Sequence, residues 1–313
     1  MATEEAKYNY CMDFAKGIAC ICVIFMHCEF PGMLGRNVQC VSRFAVPFFF
    51  MVAGYYCYKE INLQNDEKLK RAFKKIKNIG ILIAAAIVIY TAFAIVMDGI
   101  PEITYYNIRN FILFNYLSII ASPMWFLFAL LYDYILYAVV DRFNLHKLAY
   151  ISIPVLVIVY ICLAQVSYLY GLTIEKMFYR NFLIEGFCFF MMGNYIHRYQ
   201  NRIKTNNKVM IITIIICSLL CFAERDFMGR DFGVNIVTFP QVIAMFLFAV
   251  KNPKKFKGNL IQKVGTNLSK YVYLFHPAVW YTMEMVYRRI GIYKNLTALY
   301  IMPIIVLILT MCL

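Results

Sequence analysis

Three ionisable residues share one face of the first apolar stretch, which runs from Tyr10 to Phe30. If the stretch is helical, Lys16 and His27, eleven residues apart, lie on the same face about 16 Å apart along the axis. Asp13 precedes Lys16 by one turn and can form an ion pair with it. Because an imidazole titrates near neutral pH, this face could support proton transfer. The alternative is an ion pair together with a buried, hydrogen-bonded histidine.

A fixed cation opens the second apolar stretch, "RFAVPFFFMVAGYY", where Arg43 precedes Pro47 by one turn. In a helical hairpin, Arg43 returns to about the depth of His27. It can face His27 or an anionic substrate group, or it can extend to the outer lipid headgroups. The residue type and spacing leave both interpretations open.

Four more ionisable residues fall inside later apolar stretches, where such groups are costly and are candidates for function. The acids are expected to neutralise Lys16 or Arg43. The histidine is expected to be a core residue hydrogen-bonded to a neighbouring helix. The four residues are Asp133, Glu185, Glu284 and His276.

The composition shows which elements must position these residues. The 313 residues are 62% hydrophobic and only 15% charged, whereas soluble chains are nearer half apolar and a quarter charged. Ten apolar runs can be marked, and a spanning helix needs about 20 residues. We therefore predict an all-α, polytopic transmembrane bundle of about ten spans, forming one domain over residues 1–313. The chain ends inside an apolar run, as a C-terminally truncated sequence would.

The distribution of basic residues predicts the orientation of the bundle. Of the 31 Lys and Arg residues, 20 fall before the first span or after even-numbered spans, and 9 fall in the opposite loops. Because basic loops stay in the cytoplasm, both termini and the basic segment Lys59–Lys77 are expected there. This rule also accounts for the net charge of +14 without a nucleic-acid partner. The eleven cysteines form no metal-binding spacing, and no metal is expected; Cys28 and Cys40 could pair.

An ordered set of motifs resembles acyltransferase family 3, whose members are integral membrane proteins that mostly O-acetylate extracytoplasmic sugars. "DFAKGIACICVIFMH" is similar to the family's first span, in which a basic residue precedes an essential histidine by eleven positions; Lys16 and His27 match. "RFAVPFFFMVAGYY" resembles its second span, with Ala53 where many members have serine. "MWFLFALL", "RNFLIEGFCFFMMGNYI" and "YVYLFHP" resemble later elements, so the similarity covers nearly the whole chain.

The resemblance implies a donor site on the cytoplasmic side. The family's first cytoplasmic loop usually carries an RxxR pair associated with acyl-CoA, and Arg71, Lys74 and Lys77 are the counterparts here, with lysine replacing arginine. Lysine lacks the planar two-pronged phosphate contact of arginine. A donor role for His276, near the cytoplasmic end of its span, is a second interpretation of that residue.

The resemblance implies transfer of an acyl group, which is acetyl in most members of this family, from cytoplasmic acyl-CoA to a hydroxyl of an extracytoplasmic glycan or lipid-linked sugar. His27 is the expected general base, assisted by Lys16, Arg43 and Asp13, and Trp125 would stack on a sugar or lie in the aromatic belt. No tightly bound cofactor is expected, and the location would be a bacterial inner membrane. A transporter or flippase for a polar lipid or sugar is the alternative; a non-catalytic scaffold or sensor is a third possibility.

Overall fold

A computed structural model of the chain describes residues 8–58, 65–99, 103–116, 122–230 and 232–313. The structure is 79% helix, with no strand among the described residues. The all-helical prediction is therefore confirmed. In chain order the α-helices are α1 (Tyr10–His27), α2 (Gly32–Ser42), α3 (Ala45–Tyr55), α4 (Asn65–Asp98), α5 (Tyr105–Phe114), α6 (Trp125–Arg142), α7 (His146–Ile161), α8 (Ser167–Leu169), α9 (Cys188–Tyr199), α10 (Asn207–Met228), α11 (Thr238–Lys251), α12 (Leu260–Asn267), α13 (Ser269–Arg289) and α14 (Leu296–Cys312).

Several helical stretches are long and apolar enough to cross a membrane. Within the described ranges five meet that description by length and composition, and α11 and α14 are apolar but shorter. The count of ten spans and the cytoplasmic termini stay predictions. The five are Tyr10–His27, Gly32–Tyr55, Glu67–Val96, His146–Leu169 and Asn207–Met228.

The second apolar stretch is divided into two helices. α2 ends at Ser42 and α3 begins at Ala45, with the break at Arg43 and Phe44. Pro47 explains the break, because proline has no N–H to donate to the carbonyl four residues earlier, which is that of Arg43. The next bond of this type, from Phe48 N to Phe44 O, is present at 2.9 Å.

The basic segment expected as a loop is largely helical. α4 is 34 residues long and begins at Asn65, so its first turns carry the cations from Lys68 to Lys77. The segment from Lys68 to Asn78 is rich in good helix formers and contains neither glycine nor proline, which favours a continuous helix. Residues 59–64 of the segment lie outside the described residues.

The chain divides into two compact units, one of residues 1–49 and 200–313 and the other of residues 50–199. We call them unit 1 and unit 2. In unit 1, α1, α13 and α14 share a buried core around Cys20, Ile24, Val272 and Val306.

Glycines allow the closest helix contacts within each unit, as is common for packing inside membranes. In unit 1, a Cβ on Gly265 of α12 would lie 1.8 Å from the carbonyl oxygen of Asp13, so only glycine fits there. In unit 2, α3 and α9 meet through Gly54 and Gly193, whose added Cβ atoms would lie 1.8 and 1.9 Å from backbone carbonyls of the facing helix. At both places the absence of a side chain lets the backbones of two helices touch.

Candidate functional site

The carboxylate of Asp13 is fully engaged near the start of α1. Its Oδ1 lies 2.6 Å from Lys16 Nζ, and its Oδ2 accepts hydrogen bonds from Thr266 Oγ1 at 2.9 Å and from the Tyr8 hydroxyl. The pair expected from the spacing is therefore present. Burial, followed by the hydrogen bond to Asp13, raises the pKa of Tyr8, which keeps the phenol a donor. Asp13 neutralises Lys16 within α1, and the hydrogen bond from Thr266 links α1 to α12.

The last residue of α1 lies beside a residue of α13. The ring centroids of His27 and His276 are 5.4 Å apart, with 36° between the ring planes. Lys16 is eleven residues from His27, about 16 Å along the helix axis, and so is too far away to contact it. The stretch therefore carries two separate groups, the Asp13–Lys16 pair near its start and the histidine pair at its end.

The hydrogen bonds of His276 stay within its own helix. Its Nδ1 lies 2.9 Å from the carbonyl oxygen of Val272 and 3.0 Å from that of Tyr273. We expected a bond to a neighbouring helix, and the structure differs because Pro277 follows in the sequence. Proline cannot donate to the carbonyl four residues earlier, so the oxygen of Tyr273 is left for the imidazole.

Arg43 lies at the break between α2 and α3. Its guanidinium donates a hydrogen bond of 3.3 Å from Nη2 to Gln39 Oε1, and the residue is half-buried. This bond to the preceding turn fixes the direction of the side chain within unit 1. The predicted roles of Arg43 beside His27 or at the lipid headgroups stay predictions.

Unit 2 contains a cavity of about 450 Å³ where α4 begins and α6 ends. Four basic side chains and one acid line it, together with tyrosines and small residues. The basic side chains all come from α4, whose first turns form one wall. The lining residues are Tyr56, Cys57, Lys68, Arg71, Ala72, Lys74, Lys75, Asn78, Tyr134, Tyr137, Ala138 and Asp141.

The cavity includes two of the three predicted donor-site cations. Arg71 and Lys74 line it, but Lys77 does not. Helix geometry gives the reason, because Lys77 lies roughly 120° around the axis from Arg71. Lys68 and Lys75, which were not among the predicted donor-site cations, lie three and four residues from Arg71 and share its face. That spacing was the signal that could have identified them.

The lining cations differ in how firmly they are held. Lys68 is buried and donates to the carbonyl of Asp141 at 3.3 Å and to Asn144 Oδ1 at 3.2 Å. Lys75 donates to the carbonyl of Tyr56 at 3.3 Å. Arg71 and Lys74 are exposed, and no acid among the described residues pairs with them. They are therefore available to an anionic ligand.

A cysteine thiol also lines this cavity. Burial raises the pKa of Cys57 to about 11, although nearby Lys75 acts in the opposite direction. The thiolate is the nucleophilic form of cysteine, so at neutral pH this thiol is mostly unreactive. The cavity therefore has the character of a binding site and lacks an activated nucleophile at Cys57.

Trp125 begins α6 and is covered on one side by a cation. The guanidinium of Arg180 lies 4.5 Å from the centre of the indole ring, and the ring of Phe50 lies 6.0 Å away. A sugar could reach only the indole surface that these residues leave open. Its stacking role stays a prediction.

The three acids of the later apolar stretches have different surroundings. Glu284 pairs with Arg288 at 2.6 Å, and the partner of Lys16 is Asp13. Asp133 has no exposed surface and lies against Gly186, in the π-helical turn Phe182–Phe187 that also contains Glu185. Glu284 is thus paired within its own helix, and the neutralisation of Lys16 or Arg43 by Asp133 or Glu185 stays a prediction.

Neither Cys28 nor Cys40 forms a disulfide. The thiol of Cys40 instead donates to the carbonyl of Cys221 at 3.1 Å. Among the described residues there is no cluster of three or more His, Cys, Asp or Glu side chains that could hold a metal ion.

Comparison with known proteins identifies a family for the chain. The family model described as an acyltransferase domain matches residues 9–313, nearly the whole chain. No curated protein matches, and no solved structure matches. The family match spans α1 with the histidine pair, the cavity of unit 2 and the last helix. The chain therefore belongs to acyltransferase family 3 and is a membrane acyltransferase.

Proposed function

We propose that this enzyme transfers an acyl group, specifically acetyl, from acyl-CoA to a hydroxyl of an extracytoplasmic glycan or lipid-linked sugar in a bacterial inner membrane. The observation that carries the donor half is the cationic cavity of unit 2. Four basic side chains face a single acid around about 450 Å³. This volume suits part of a large ligand, and the charge suits the phosphates of CoA.

The polar and aromatic lining of the cavity supports the same ligand class. Arg71 can make two parallel hydrogen bonds to a phosphate, and Lys74 adds a mobile point charge. Tyr56, Tyr134 and Tyr137 contribute aromatic rings to the lining, and the hydroxyl of Tyr137 donates to the carbonyl of Cys57. A simple inorganic anion would need no such aromatic wall, so the lining favours a nucleotide-containing donor.

His27 is the general base of the proposed reaction. It takes the proton from the acceptor hydroxyl while the oxygen attacks the thioester carbonyl carbon. The carbon–sulfur bond breaks, the sulfur leaves as a thiolate, and the proton passes from His27 to that sulfur to give free CoA. An imidazole side chain is suited to this role because it can both take up and release a proton.

The test is a transfer assay with acetyl-CoA labelled in the acetyl group. Protein in native-like lipid vesicles should release free CoA and move label into cell-envelope material. Binding of acetyl-CoA without CoA release, together with movement of a polar lipid across the bilayer, would contradict the proposal and favour a transporter. Absence of both binding and transfer would leave the donor assignment without support.

A further inference from the structure

We propose that His276 is a positioning residue for His27, so that the reaction uses a pair of histidines. Its Nε2 accepts a hydrogen bond, directly or through one water, from a ring N–H of His27. The inference rests on the proposed function, since it assigns a role within that reaction. It replaces a donor-binding role for His276.

The backbone of α13 fixes the tautomer of His276. Carbonyl oxygens can only accept hydrogen bonds, so the Nδ1 atom that contacts Val272 and Tyr273 must carry the proton. In the neutral ring, Nε2 is then the acceptor. Pro277 makes this arrangement durable, because it leaves the Tyr273 carbonyl without its helical donor. The sequence His276–Pro277 thus fixes Nε2 as the basic nitrogen of the neutral ring.

The Nε2 atom of His276 is buried and has no hydrogen-bond partner in the part of the chain that the structure describes. His276 is 1% exposed, and within the described residues its Nε2 accepts no hydrogen bond. A buried polar atom without a partner costs about 1–3 kcal/mol, so such an atom calls for an explanation. A working contact with the neighbouring histidine supplies one.

The distance between the two rings suits this contact. At 5.4 Å between centroids and 36° between planes, the rings do not stack face to face. A small rotation of the half-exposed His27, or one bridging water, can complete a nitrogen-to-nitrogen hydrogen bond of about 3 Å. His27 is the last residue of α1, and His276 is held at Nδ1.

The consequence for catalysis is orientation. When one nitrogen of His27 donates to His276, the other nitrogen carries the lone pair and can take the hydroxyl proton. A partner that orients a histidine commonly contributes about 10–100-fold, as outer partners of metal-bound histidines do. His276 therefore acts through His27 and has no contact of its own with substrate.

Two substitutions of nearly equal size separate this role from packing. His276→Asn keeps a side-chain N–H near the position of Nδ1 and so keeps the carbonyl contact, but it loses the distal acceptor. His276→Gln reaches the position of Nε2 with an amide oxygen. We expect His276→Asn to lower kcat about 10–100-fold with an unchanged KM for acetyl-CoA, and His276→Gln to retain more activity. A packing role predicts the opposite order.

His197→Gln is the matched control, since His197 Nδ1 also contacts a backbone carbonyl, that of Tyr55, but the residue lies in unit 2. It should leave kcat unchanged. The double variant His27→Ala, His276→Asn should have the same kcat as His27→Ala alone, because the effects of residues that act as a unit are not additive. Full additive losses, or wild-type kcat in His276→Asn, would overturn the proposal.

A measurement without turnover keeps this inference separate from the proposed function. In protein with nitrogen-15-labelled histidine, the resonance of His276 Nε2 should change when His27→Ala is introduced and stay in place in His197→Gln. An unchanged resonance in His27→Ala rejects the histidine pair even if acyl transfer is confirmed. A changed resonance in a protein that transfers no acyl group keeps the contact and rejects the reaction.

Discussion

The ring of His27 on α1 lies beside the ring of His276 on α13, with 5.4 Å between their centroids and 36° between their planes. This contact joins the end of the first span to the turn of α13 that contains Pro277. It places a histidine with a fixed tautomer beside the proposed general base. It also leaves Asp13 and Lys16, near the other end of α1, as a separate pair.

Removal of the base should abolish most of the transfer. His27→Ala and His27→Gln should each lower kcat by about 10²–10⁴-fold, the usual contribution of a positioned base, because neither side chain can take a proton. Acetyl-CoA binding should persist. The measurement is acyl transfer per molecule of folded, detergent-extracted protein, and near-wild-type turnover of His27→Gln would remove His27 as the base.

Neutralising the cavity cations should weaken donor binding. The triple variant Arg71→Gln, Lys74→Gln, Lys75→Gln should raise the KM for acetyl-CoA far more than it lowers kcat, the pattern of lost uniform binding. Binding by wild-type protein should also weaken with added salt. Lys77→Gln is the matched control, since it removes a charge of α4 outside the cavity. Equal effects of Lys77→Gln and Lys74→Gln would mean that only overall charge matters.

The ion pair of α1 should act on stability. Asp13→Asn leaves Lys16 without its charged partner, and breaking a buried pair costs about 3–5 kcal/mol; the loss should be smaller here because the Lys16 side chain is 18% exposed. The double variant with Lys16→Gln should recover part of that stability. Thermal unfolding in detergent measures both. A double variant that is stable but inactive would indicate that Lys16 has a catalytic role.

The orientation can be tested with new cysteines at exposed positions. Lys70→Cys on α4 should react with a membrane-impermeant thiol reagent only from the cytoplasmic side, and Asp226→Cys on α10 only from outside. The parent protein needs serine at the exposed Cys162 and Cys312 to remove background. Labelling of Lys70→Cys in intact cells would show that the orientation is the reverse of the predicted one. The cationic cavity would then lie on the wrong side of the membrane for acyl-CoA.

Alkylation of Cys57 should depend steeply on pH. The thiolate is the reacting form, and the pKa of this thiol is raised to about 11. Reaction with iodoacetamide should therefore be slow at pH 7 and rise by about tenfold per pH unit up to pH 10. Mass spectrometry of the modified peptide measures this, with Cys57→Ser as the blank. Bound acetyl-CoA should slow the reaction, and fast alkylation at pH 7 would reject the protonated thiol.

The sequence alone determined the features that follow from composition and helical period. The excess of apolar residues predicts segments that lie in lipid. Such segments favour helices, because a backbone surrounded by lipid must satisfy its own hydrogen bonds. The three-residue spacing of Asp13 and Lys16 placed them one turn apart, and their ion pair is present. The same helical period indicates Lys75 as a better donor-site candidate than Lys77, since Lys75 lies four residues from Arg71 and on the same helix face.

Only the tertiary structure decided which distant residues meet. No period relates His27 to His276, and their contact depends on how α1 and α13 pack in unit 1. Likewise, Lys68 became part of the cavity through the end of α6, where Asp141 and Asn144 hold it. Packing between helices depends on the shapes of whole surfaces, among them glycine contacts such as Gly265 with Asp13, and a sequence pattern records each helix face but not its partner.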